Sequence, residues 1–234
     1  MNLRRATLIG AGLLAGWLWQ GDALAQCRDP VVLVHGNTGH PSDFDNTYIE
    51  LRARGYADSQ IFRPNWGSKT CAACNDHNGS EGTPVLAAIN SALAVACRGK
   101  IDVLGHSMGA TLAAKQINDA GLRLKVDAFV GIAGGFRGLW SCGTYPWQVW
   151  TSTCGYWGLS VNNPFLSGLY GKRFGDRVYS IKSWTDQVVC ATGVCTVGGI
   201  HSSSIWNENA SYSYATGHFG LLTGTSIKQA DLIQ

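Results

Sequence analysis

The chain lacks any apolar run approaching the roughly twenty residues needed to cross a bilayer, and lysine and arginine are nowhere clustered. Its 18 Lys and Arg against 15 Asp and Glu leave a formal charge of only +3. So weak a balance supplies no electrostatic footprint for nucleic acid and argues against nucleic-acid binding. No internal repeat recurs. In the polar stretch 65–82, where Asp76, His77 and Asn78 stand together, carboxylates are too sparse to hold calcium. Cys71 and Cys74 have no second ligand pair that would complete a zinc site with His77. The expectation is therefore no metal and no cofactor.

The first residues are basic, Met1-Asn2-Leu3-Arg4-Arg5, followed by an apolar stretch over 8–18 and the small-residue pattern Ala23-Leu24-Ala25. This reads as a secretory signal over residues 1–25, leaving 26–234 as one domain with a substantial core and no integral membrane segment. An extracellular or periplasmic destination follows. All eight cysteines lie beyond the expected cut, and an even number in an exported chain predicts disulfides. Connectivity is not given by sequence. The simplest pairing joins Cys142–Cys154 and Cys190–Cys195 locally, and Cys27–Cys97 because each precedes a predicted strand by four residues. Cys71 and Cys74 then remain; a tight disulfide fits oxidising export better than a redox pair or half a zinc site.

Pro30-Val31-Val32-Leu33-Val34 is a continuous apolar run, as in a strand buried on both faces of a parallel sheet. Tyr48, Ile49, Leu51 and Arg52 have helical spacing within 45–54, which stops at Gly55. Residues 61–63 read as a short strand and 65–82 as a polar surface loop. Thr83 as cap and Pro84 in the first turn predict a helix running to Cys97. Strands follow at 101–104, 126–133, 178–184 and, weakly, 212–215, with helices at 108–118 and 226–232. Alternation of this kind predicts an α/β fold, a mostly parallel sheet with helices on both faces.

One stretch organises the rest. The strand at 101–104 runs into Gly105-His106-Ser107-Met108-Gly109 and directly into a helix. Strand, sharp turn and helix around Gly-x-Ser-x-Gly resemble the nucleophile elbow of α/β-hydrolases. Ser107 then stands clear as a nucleophile at the positive end of a helix, where the Met108 amide faces a developing oxyanion. The loop after the first strand, His35-Gly36-Asn37-Thr38-Gly39, offers the Asn37 amide as second donor; His35 and His40 read as loop-ordering groups. A serine hydroxyl needs a base and an orienting acid, and the chain order of this fold is Ser, acid, His. Only His201 and His218 follow Ser107. His218 is preferred because Gly217 and Gly220 let a loop turn it inward, whereas His201 lies in polar loop sequence. Of Asp119, Asp127, Asp176, Asp186 and Glu208, only Asp186 directly follows the carboxyl end of a predicted strand. Between 136 and 174 periodicity fails and Trp140, Trp147, Trp150 and Trp157 accumulate. This predicts a minimal, loop-like aromatic cap beside the active site, suited to an apolar acyl chain or polymer segment. The alternative is a satellite core folded around Cys142 and Cys154.

Taken together, the Pro30–Gly36 run, the elbow and Gly217-His218-Phe219-Gly220-Leu221-Leu222 resemble the small class 2 bacterial lipases. A closer local similarity, through Ala133-Gly134-Gly135-Phe136-Arg137-Gly138-Leu139-Trp140-Ser141-Cys142 and Asp186-Gln187-Val188-Val189-Cys190-Ala191-Thr192, is to an extracellular poly(3-hydroxybutyrate) depolymerase type, from which this chain departs in being shorter between Cys195 and His218. The resemblance implies an α/β-hydrolase fold, a triad of Ser107, Asp186 and His218, and hydrolysis of small-molecule or polymeric esters without a cofactor. Lipase or esterase action on apolar acyl esters leads, polyester depolymerisation is the runner-up, and a noncatalytic binding module on the same fold is the distant rival.

Overall fold

The computed structural model describes residues 27–234; the segment read as an export signal lies outside the described residues. Six strands form one sheet, every neighbouring pair parallel. They are β1 (Val31–Val34), β2 (Ile61–Phe62), β3 (Ile101–His106), β4 (Val126–Ile132), β7 (Arg177–Lys182) and β10 (Ala210–Ser213), in spatial order β10-β7-β4-β3-β1-β2. Two pairs stand outside it: β5 (Leu139–Thr144) with β6 (Ser160–Val161), and β8 (Thr196–Val197) with β9 (Ile200–His201).

Alternation along each strand divides the interior into two layers. Val32, Val34, Val103 and Phe129 pack with Val85 and Ile89 of α2 (Gly82–Ala94), Leu112 and Ile117 of α3 (Met108–Asp119) and Leu166 of α4 (Pro164–Leu169). Val31, Leu33, Leu104 and Val130 meet Leu51 of α1 (Asp45–Ala53), Leu221 of α5 (His218–Gly224) and Ala230 of α6 (Ser226–Asp231). That two-sided cover explains why β1 reads as four consecutive apolar residues. Burying each such side chain contributes roughly 1.5–3 kcal/mol.

Chain direction across the sheet reverses at β1. From β1 the chain moves outward to β2, then returns past β1 to β3 and proceeds the other way. Loops leaving the carboxyl ends of β1 and β3 therefore diverge and open a crevice, the usual ligand position in such sheets.

Three expectations need correcting. Helix α2 starts at Gly82, with Glu81 at the cap position and no side-chain cap bond, so Thr83 does not cap it; a short 3-10 turn over Gly79–Glu81 leads in instead. The stretch 65–82 is anchored rather than superficial, because Trp66, Asn75 and His77 are buried. Trp66 Nε1 donates to the His35 carbonyl at 2.9 Å, and both ring nitrogens of His77 are engaged, by the Trp157 carbonyl and Thr111 Oγ1. Lastly, 136–174 is not loop-like throughout. Leu139, Leu159, Phe165, Leu166 and Leu169 join the main core, and α4 is capped by Asn163, whose side chain accepts the Leu166 amide at 2.7 Å. Disulfides link Cys27–Cys97, Cys71–Cys74, Cys142–Cys154 and Cys190–Cys195.

Candidate active site

Ser107 lies between β3 and α3 with φ 53° and ψ −131°, a positive-φ conformation that costs a non-glycine residue about 1–3 kcal/mol. Its neighbours make that turn possible. A Cβ at Gly105 would lie 2.4 Å from Ala110 Cα, and one at Gly109 would lie 2.0 Å from the His35 carbonyl oxygen. The Ser107 amide donates to the Ile132 carbonyl at 2.8 Å, which pins the turn to the end of β4.

Asp186 follows β7, and its Oδ1 accepts the amides of Val188 and Val189 at 2.8 and 2.9 Å. Its two oxygens lie 3.0 and 2.8 Å from His218 Nδ1. A carboxylate only accepts, so Nδ1 carries the proton and Nε2 presents a lone pair. Burial by itself would raise the Asp186 carboxyl; the His218 hydrogen bond and charge and the Val189 and Val188 amides overcome it and hold the group below the usual carboxylate range. His218 opens α5, with Gly217 at the cap position, and its amide donates to Gln187 Oε1 at 2.9 Å.

Ser107 and His218 line one cavity of about 200 Å³, together with Gly36, Asn37, Ala72, Val188 and Phe219. No hydrogen bond joins the Ser107 hydroxyl to the imidazole in this arrangement; contacts of this kind often tighten only around substrate. The amides of Asn37 and Met108 have no acceptor among the described residues. Asn37 is held by its side chain, which donates to the Ala72 carbonyl and accepts from Asn75 Nδ2. Beneath His218 lies His106, its Nε2 against the His218 carbonyl at 3.2 Å. Burial, then the His218 charge, pushes the His106 imidazole down to about 3, so it packs as a neutral ring.

A family model described as lipase (class 2) matches residues 28–230. The chain belongs to the class 2 lipase family. No curated protein matches it. Among solved structures, lipase B of Aspergillus fumigatus is similar with a TM-score of 0.62 at 21% identity, over 83% of this chain and 49% of that one. The Bacillus licheniformis lipase BlEst2 in its propeptide form gives 0.61 at 12%, over 89% and 51%. A pyrethroid hydrolase of Sphingobium faniae JZ-2 gives 0.52 at 13%, over 86% and 96%. These likenesses show the α/β-hydrolase fold. This class 2 lipase family member spans about half the length of the fungal and Bacillus lipases.

Of the remaining residues singled out from sequence, His201 lies elsewhere in this family member. Its Nε2 meets the Ser183 carbonyl at 3.0 Å and its Nδ1 accepts the Ser203 amide at 3.1 Å, so both ring nitrogens serve the main chain. His35 is likewise occupied by Gly36, Trp66 and Lys69, and burial lowers it to about 4. Asp127 pairs with Arg177. None of Trp140, Trp147, Trp150 and Trp157 lines the Ser107 cavity. Trp157 is half-buried against Phe165, Trp140 donates to the Thr196 carbonyl, and Trp147 and Trp150 project outward, 80% and 88% exposed. Sequence reasoning missed Phe219, 64% exposed on the cavity rim; its place directly after His218 was the available signal. Two clusters among the described residues have metal-ligand spacing. In one, Cys190 and Cys195 are bonded to each other beside His201. In the other, Asp29 and Asp127 are paired with Arg98 and Arg177 beside Asp102.

Proposed function

We propose that the chain is a secreted serine carboxylic ester hydrolase, a single catalytic domain over 26–234 once residues 1–25 are removed. Ser107 Oγ attacks the ester carbonyl carbon while His218 Nε2 takes its proton. Asp186 holds the imidazole tautomer and stabilises the imidazolium that forms. The tetrahedral oxyanion accepts from the amides of Asn37 and Met108, whose partial positive charge is reinforced by the start of α3. Collapse breaks the bond to the alkoxy oxygen, which leaves with the His218 proton. Water then repeats the sequence on the acyl-enzyme and releases the carboxylic acid.

The observation that carries this reading is the buried Asp186–His218 pair meeting, at one cavity, a serine held on a strained turn beside two unused amides. A fluorophosphonate probe should label Ser107 in the native chain and leave Ser107→Ala unlabelled, with loss of p-nitrophenyl ester turnover. A folded native sample that takes up no label would favour the noncatalytic binding module.

Apolar acyl esters are the leading substrates, since the cavity wall carries Ala72, Val188 and Phe219. The exposed indoles of Trp147 and Trp150 favour a second reading, depolymerisation of a polyhydroxyalkanoate. Clearing assays on emulsified triglyceride and on amorphous polyhydroxybutyrate, run side by side, separate the two.

A further inference from the structure

Arg52, Arg54, Arg63, Arg98 and Arg177 each meet a carboxylate, whereas Arg137 forms no ion pair among the described residues. Arg173 also meets no carboxylate, but both its terminal nitrogens donate to oxygens of Asp176, Asn207 and Asn209. Arg137 Nε donates to the Ser204 carbonyl at 3.1 Å and its guanidinium carbon lies 3.3 Å from the Trp206 ring centroid. These contacts fix the plane of the fork and leave its terminal nitrogens without a carboxylate. Glu208, which accepts the Ile205 amide at 3.0 Å, acts on it without forming an ion pair. Burial pulls the guanidinium below its ordinary range, and Glu208 and Tyr170 offset only part of that cost.

The fork lines a cavity of about 370 Å³ whose walls include Phe136, Leu166, Tyr170, Ile200 and Trp206. It shares no lining residue with the Ser107 cavity. Trp206 Nε1 is buried and has no hydrogen-bond partner among the described residues, so the indole offers the cavity its ring and Arg137 supplies the cationic donor of the wall. Pockets above about 300 Å³ with apolar walls and a few convergent polar groups are typical small-molecule sites. A planar guanidinium matches a carboxylate bidentately, and the apolar walls match a hydrocarbon chain.

We infer that the Arg137 cavity is a second binding site, separate from the Ser107 cavity, for an amphiphilic monocarboxylate with its head on the guanidinium and its chain against Phe136, Leu166 and Ile200. The natural source of such a ligand rests on the proposed function, because ester hydrolysis releases a carboxylic acid that ionises at neutral pH. The site itself does not depend on that reading. Octanoate held there would report accumulated product away from the reacting serine.

Calorimetric titration of the native chain with sodium octanoate tests this. One site is expected, unchanged after Ser107 has been blocked with a fluorophosphonate, and octanol should give no binding. Arg137→Gln should weaken octanoate binding about tenfold or more, the usual effect of losing a charge-assisted contact. Arg137→Lys should recover only part of it, since the fork is lost. Because Arg137 also braces Ser204 and Trp206, Ile200→Glu on the exposed β8–β9 hairpin provides a second variant, expected to repel the ligand at the cavity wall. Binding abolished by the fluorophosphonate would place octanoate in the Ser107 cavity and overturn the inference. So would equal binding of octanol, no binding by the native chain, or undiminished binding in both folded variants. Fluorophosphonate labelling in the same samples keeps the two readings apart, since a native chain that binds octanoate but takes no label would strike only the hydrolase assignment.

Discussion

Two buried imidazoles, His218 and His201, differ in what their ring nitrogens are free to do. His218 spends Nδ1 on Asp186 and keeps Nε2 for the cavity; His201 spends both on main-chain groups of Ser183 and Ser203. His218→Ala should therefore lower kcat on a soluble ester by about four powers of ten or more. His201→Ala should leave kcat near native and cost about 1–3 kcal/mol of stability, measured by denaturant titration, because it strands buried main-chain partners. Asp102 raises a different question. Burial, with Asp29 and Asp127 beside it, pushes its carboxyl well above the ordinary range, against the pull of the Ala128 amide and Arg177, and its Oδ2 has no partner among the described residues. A group whose folded value exceeds its unfolded one contributes stability below the unfolded value and loses it as pH rises through the folded one. The native chain should thus lose thermal stability as pH climbs from the ordinary carboxylate range toward neutrality. Asp102→Asn, which keeps an acceptor for Ala128, should flatten that part of the profile. An unchanged slope in the variant would assign the dependence to other groups.

At the scale of elements, the disulfides test how much of the frame is chain-entropic. Cys27–Cys97 spans 70 residues and ties the approach to β1 to that of β3, while Cys190–Cys195 spans 5. Loop-closure entropy assigns about 4 kcal/mol to the first and about 2 kcal/mol to the second. Paired Cys→Ser replacements compared by denaturant unfolding should show the larger loss at Cys27 and Cys97. The elements themselves were legible to the extent that their signals are local. β1 announces itself by four apolar residues, and the elbow by glycines whose missing Cβ atoms are required by contacts within one turn and the adjoining strand end. Thr83-Pro84 has the chemistry of a helix start and sets the expected beginning of α2 two residues late, because the backbone has already entered the helix through a 3-10 turn. The polar stretch 65–82 and the segment 136–174 were misread for a shared reason. Whether Trp66, His77 or Leu159 faces inward depends on partners such as His35, Thr111 and Leu139, which lie 20 or more residues away along the chain, and no periodicity in a two-residue strand encodes that choice.

On the whole molecule the proposed function poses a question of access, since an apolar, insoluble ester would have to reach the Ser107 cavity from a surface. The aromatic segment does not line that cavity, yet it is fastened to its wall: the Thr153 hydroxyl lies within hydrogen-bond reach of the carbonyls of both Ala72 and Asn75, which share its one proton, and Ala72 is a lining residue. Trp150, three positions before Thr153, and Trp147 thus project from a segment anchored at the cavity wall, and Phe219 stands exposed on the rim. A tryptophan can bury about 150–250 Å² on contact, and at about 25 cal/mol per Å² even a third of that area is worth roughly tenfold in an equilibrium constant. Soluble esters need no such contact. Trp147→Ala with Trp150→Ala should therefore leave turnover of p-nitrophenyl butyrate within about twofold of native, since neither residue touches the reacting groups. Adsorption to amorphous polyhydroxybutyrate granules or emulsified triglyceride should fall by at least about tenfold, and clearing with it. A parallel loss on the soluble ester would show instead that these indoles support the cavity wall. Undiminished adsorption in the double variant would shift the contact surface to Phe219 and its neighbours.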